Sequence, residues 1–134
     1  MRNVFLIATA IVCLGFPAIA SDDNVVGKEL YGSYCAACHG DSGMGDGDMA
    51  NVLTVPAPNL TLIAKKNGGE FPMLKVIHII DGRSGLRAHG GPMPLWGDVF
   101  STNAGDPSLA YTGEIMARGR VLSLAQYLET LQAK

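Results

Sequence analysis

The chain has 134 residues, 10 Lys+Arg against 12 Asp+Glu, and a formal net charge of −2. That length suits one small domain and is too short for two. The slightly acidic balance argues against a nucleic-acid partner, which would call for a basic patch, and no like-charge tail or 20–50-residue repeat is present.

Residues 1–20 carry one positive residue, Arg2, an apolar run from Val4 to Leu14, and an Ala18-Ile19-Ala20 end before Ser21-Asp22-Asp23. A basic start, a short apolar core and an A-x-A end are the parts of a secretory signal. The apolar run falls short of the ~20 residues that cross a bilayer as a helix, which disfavours an uncleaved anchor. Val12 before Cys13 is not the small residue that lipoprotein processing favours. Cleavage is expected after Ala20, leaving one domain, residues 21–134. The cut removes one cation and no acid, so the net charge becomes −3, and only Cys35 and Cys38 remain as cysteines.

In chain order, a first helix is expected from about Asp22 or Asn24 to Cys38. Val25, Val26, Leu30, Tyr31 and Tyr34 are spaced to line a helix, and Asp22 and Asp23 suit its positive end. Residues 39–60 are broken by Gly40, Gly43, Gly45, Gly47, Pro56 and Pro58 and form a long loop. A second helix is expected over Phe71 to Asp81, stopped by Gly82. Residues 82–98 return to loop, and the last helix opens at Asp106-Pro107 and runs toward Gln132, with loosening at Gly113 or Gly119. No alternating strand pattern stands out. Three modest helices and two glycine-rich loops bury too little apolar area to offset their ordering entropy, a deficit that disulfides, a metal or a large apolar cofactor usually closes.

Cys35, Ala36, Ala37, Cys38 and His39 supply such a handle. Two thiols three apart followed at once by histidine are the spacing for covalent c-type haem attachment, with the imidazole as proximal iron ligand. A redox dithiol belongs in a βαβ setting, which the pattern lacks. A zinc site needs two further ligands, and His78 and His89 are too far apart for the usual H-x-H arm. A bare disulfide leaves His39 unexplained. One haem c through Cys35 and Cys38 is the expectation.

The iron's sixth position could be open or closed. Met44 and Met49 lie too near the motif to reach across the ring, while Met73 and Met116 sit on helices where core packing is the plainer role. Met93 stands in a loop between Pro92 and Pro94, after Gly90 and Gly91, where a thioether can be presented without a helix in the way. Met93 is therefore the expected ligand, with His78 and His89 as lesser candidates.

Over nearly all of residues 21–134 the sequence resembles the class I cytochromes c of the bacterial periplasmic type. Gly27 and Tyr31 before Cys-Ala-Ala-Cys-His resemble that family's first helix, and Leu124, Tyr127 and Leu128 its last. The resemblance implies an all-α, small cytochrome c fold, with the two terminal helices crossing at the glycine and aromatic pair and long loops wrapping one covalent haem. "APNLT" is similar to the loop whose proline carbonyl accepts the proximal imidazole N–H, giving Pro58 that role toward His39. "GPMPLWGDVF" is similar to the Met-ligand segment, giving Met93 the axial role and placing Trp96 near the haem edge. The longer "DSGMGDGD" stretch and residues 101–110 depart from the shortest members as surface-loop variations.

The function implied is a periplasmic one-electron carrier with a His/Met-ligated iron, not an enzyme. Its partners would be redox proteins: a dehydrogenase, an oxidase or a respiratory complex. A cytochrome subunit of a periplasmic dehydrogenase or oxidase is the alternative, and an open-iron haem enzyme or gas sensor the second. Lys65, Lys66, Lys75, Arg83 and Arg87 would form a docking ring or a solvated face, and Arg83 could instead pair with a haem propionate.

Overall fold

The computed structural model describes residues 24–83, 93–101 and 107–133. The proposed signal segment, Asp22, Asp23, Arg87, His89 and Asp106 lie outside them. Among the described residues there are six helices and no strand: α1 Val25–Tyr34, α2 Ala36–His39, α3 Ile63–Lys66, α4 Met73–Asp81, α5 Trp96–Ser101 and α6 Ala110–Thr130. None is long and apolar enough to cross a membrane.

The single first helix expected to reach Cys38 is instead two. α1 ends at Cys35, whose φ of −117° and ψ of −38° leave the helical line. Its N–H still bonds the Tyr31 carbonyl at 2.9 Å, but its own carbonyl accepts from both Cys38 and His39, at 3.1 and 2.9 Å, closing a separate turn. Cys38 and the imidazole thus sit on a short helix that Cys35 joins to the end of α1.

Two further short helices were not expected. Asn59 Oδ1 accepts the Thr61 N–H at 2.9 Å and starts a tight turn, Leu60–Leu62, that runs into α3. The region expected to be loop through residue 98 contains α5. It begins after Pro94, where the Leu95 carbonyl accepts from Asp98 and Val99, and it places Trp96 and Phe100 four apart on its buried face. α4 begins at Met73 rather than Phe71, because Pro72 (ψ 69°) is not helical, and it ends at left-handed Gly82. α6 follows a short turn, Pro107–Leu109, and runs without a break through Gly113 and Gly119 to Thr130, so the expected loosening is absent.

α6 is the spine. Gly113, Ala117, Val121, Leu124, Ala125 and Leu128 recur at helical spacing on its buried stripe. Against it pack Tyr31 of α1, Val76 and Ile80 of α4, and Trp96 and Phe100 of α5, forming one core. Met116, expected in that core, is instead on the outer side of α6, 43% exposed. Two glycines allow the close approach. A Cβ on Gly27 would strike the Ser123 carbonyl oxygen and stand 2.8 Å from Tyr127 Cβ, and one on Gly113 would stand 2.5 Å from the Ser101 carbonyl oxygen. Beside the first contact the Tyr31 and Tyr127 rings lie 5.3 Å apart. The crossing implied by the resemblance is therefore present. Gly27→Val is expected to force α1 off α6 and cost about 1–3 kcal/mol or more, read as a lower denaturation midpoint of the mature protein. Ser123 offers backbone there, which has no rotamer to yield.

Candidate haem-attachment site

Cys35 and Cys38 are both half-buried and form no disulfide with each other. Burial, and secondarily the neighbouring Cys38, push the Cys35 thiol up to about 12. Among the described residues no group of three or more His, Cys, Asp or Glu side chains converges as a metal cage would.

The glycine-rich loop wraps the attachment turn. Met49 donates its N–H to the Ala37 carbonyl and Gly45 to the His39 carbonyl, both at 2.8 Å. Gly47 lies so close that a Cβ there would stand 2.5 Å from the Ala36 carbonyl oxygen. This stretch, expected to be surface variation, is thus part of the frame around the motif. The Tyr31 hydroxyl donates to the Gly40 carbonyl at 2.7 Å, tying the core of α1 to the residue after His39. Burial first, with Cys35 and Tyr127 nearby, raises the Tyr31 phenol well above its ordinary value, so it stays a donor. Tyr31→Phe is expected to lower stability by about 0.5–1.5 kcal/mol in a denaturant melt, with helix content unchanged.

His39 directs Nδ1 toward the Pro58 carbonyl oxygen, 3.4 Å away. Gly45, at φ 87°, packs against the same loop: a Cβ there would strike the Ala57 carbonyl oxygen and stand 3.3 Å from the Pro58 carbonyl carbon. Leu60 N–H bonds the Gly43 carbonyl at 2.7 Å and closes the same loop.

Met93 is half-buried and packs against the core on which Cys35, Leu60, Met73 and Ile77 also lie. Three positions on, Trp96 stacks on Phe100 at 5.5 Å and meets the edge of Tyr34 at 5.4 Å. Tyr34 immediately precedes Cys35, so an aromatic cluster joins the Met93 segment to the attachment turn. Sequence reasoning counted Tyr34 only as a helix-face residue; its adjacency to Cys35 was the available signal. Met73 packs against the same core as Met93. Met44 and Met49 are 57% and 47% exposed, and His78 is half-buried within α4.

Arg83 is not a free docking cation. Its guanidinium forms a two-point pair with Asp81, at 2.8 and 2.7 Å, and bonds Glu114 at 2.6 Å. The bond from Arg83 is the main reason both carboxyls are held below their usual range, with Arg118 adding to it at Glu114. A depressed carboxyl stabilises the fold fully above its ordinary range. This contribution is therefore complete at neutral pH and is lost as pH falls through the lowered values.

Two thiols and a histidine on one turn, in an all-helical frame whose first and last helices cross at a glycine, define a c-type cytochrome. The cytochrome c family model matches residues 25–132, and the chain belongs to that family. It binds haem c covalently, with Cys35 and Cys38 at the attachment spacing, and its general chemistry is haem-based electron transfer. No curated protein and no solved structure matches the chain.

Proposed function

We propose that the protein is a periplasmic one-electron carrier in which His39 and Met93 close the two axial positions of the haem iron. The observation that supports this reading is the Trp96–Tyr34 ring contact, which sets the chain three residues after Met93 beside the residue that precedes Cys35. When bound, the haem supplies an Fe(III)/Fe(II) couple, and a thioether opposite imidazole raises its potential. With Nδ1 of His39 facing Pro58, Nε2 is the nitrogen assigned to the iron, and the carbonyl fixes the ring plane and increases its basicity. Trp96, with Phe100 and Tyr34, excludes water beside the Met93 segment. Residues 1–20 direct export and are removed after Ala20; the amino-terminal sequence of the mature protein tests this.

A second reading, a subunit with a permanent partner, draws on α6. Tyr111, Ile115 and Leu122, at spacings of four and seven, are 78%, 52% and 43% exposed on one side of it. Purification from the native periplasm separates the two. A lone haemoprotein titrating as a one-electron couple supports the carrier, and a stable complex supports the subunit. A multi-electron or substrate-consuming reaction by the isolated protein contradicts both.

A further inference from the structure

The segment that delivers Met93 is pinned at its base by described residues on either side. At Gly82 (φ 75°) a Cβ would stand 2.5 Å from Leu95 Cδ2, so the end of α4 and the residue two after Met93 are in contact. Next to it the Arg83–Asp81 pair lies on the α-carbon of Gly97. A Cβ there would strike Arg83 Nε and stand 2.7 Å from the Asp81 carboxyl. Arg83 Nε and Nη2 donate to the two oxygens of Asp81, and Nη1 donates to Glu114 Oε2 at 2.6 Å. Arg118 Nε donates to the other Glu114 oxygen, also at 2.6 Å. One guanidinium thus joins the end of α4, the first turn of α5 and the early part of α6.

We propose that Arg83 is a positioning residue: by holding Asp81, Glu114 and the Gly97 backbone together it fixes the base of the Met93 segment and keeps the thioether on the iron. The inference rests on the reading of Met93 as the axial ligand. Partly exposed ion pairs add little to global stability, so the frame stands without this one. What the planar fork supplies is geometry, because it holds two carboxylates at fixed angles where a lysine holds one point charge. A segment with a fixed base spends less of its time with the sulfur away from its place. Gly97 is part of the same device, since only a residue without a side chain lets the pair lie on the backbone that leads back to Met93.

Competition by imidazole in the ferric holoprotein tests this, because imidazole enters only when Met93 leaves. Arg83→Met is expected to raise apparent imidazole affinity about tenfold and to weaken the sulfur-to-iron absorption band, as the closed fraction falls. The helical melting midpoint should stay within a few degrees, and Arg83→Lys should fall between wild type and Arg83→Met. Glu114→Gln, which keeps the Asp81 pair, should raise the affinity about threefold, and it decides the matter should Arg83→Met fail to accumulate. Met93→Ala provides the open reference. Affinities within twofold of wild type for both Arg83→Met and Glu114→Gln, with Met93→Ala far tighter, overturn the inference alone. A wild type that binds imidazole as tightly as Met93→Ala overturns the ligand assignment and this inference with it.

Discussion

Replacing Cys35 or Cys38 with alanine is expected to remove most of the haem-bearing protein that the cell accumulates. The buried core is small: Tyr31, Val76, Ile80, Trp96, Phe100 and five residues of α6. Around it stand the glycine-rich loop and the Met93 segment, whose order cannot be supported by that apolar area alone. Cofactor binding is in this case part of folding, as metal binding is in other small domains. Cys35 packs on the core, so its loss removes a tether and a contact together. The check is a haem-stained denaturing gel of cell extracts, with acid–acetone extraction of what remains. The wild-type protein should keep its pigment, and each single variant should show a severalfold loss of stained protein. Wild-type accumulation of Cys38→Ala with all its haem retained would contradict the attachment.

Met93→Ala carries the second large effect. Ferric protein should lose the sulfur-to-iron absorption band: Met44, Met49 and Met116 are exposed, which leaves Met73 as the control substitution. The midpoint potential should fall by a few tenths of a volt, within the range of about 0.8 V that axial ligands span. Loss of the thioether removes a ligand that favours the ferrous state. Folding should survive, since Cys35, Cys38 and His39 still anchor the group and the α1–α6 crossing at Gly27 does not involve Met93. Spectroelectrochemistry of both proteins gives the band and the potential together. Were Met73→Ala or His78→Ala to produce these changes instead, the carrier reading would stand with a different ligand.

The attachment motif was legible because its chemistry is local: two thiols and an imidazole in five residues say what they hold without any tertiary knowledge. The α1–α6 crossing was legible only through resemblance; nothing in the periodicity around Gly27 marks it as the point where Ser123 backbone arrives. α5 was missed because the prolines and glycines before it read as loop, while the Trp96–Phe100 spacing that defines its buried face covers barely one turn. The break at Cys35 was invisible for a similar reason. No proline marks it, and only the backbone geometry at Cys35, with φ −117°, separates the two helices. The loop from Gly40 to Met49 looked like surface variation because small residues carry no pattern. Their smallness is what lets backbone meet backbone around Ala36 and Ala37. Arg83 could not be placed at all, since Glu114 lies 31 positions away and only tertiary structure brings it near.

The central claim, that the iron is closed on both sides in the working protein, is tested most directly by carbon monoxide. Ferrous wild-type protein and ferrous Met93→Ala are exposed to the same saturating concentration, and their absorption spectra are compared. The account predicts no spectral change in the wild type and complete conversion in Met93→Ala. Ready binding of carbon monoxide by the wild type would contradict it and would point to an open-iron enzyme or sensor.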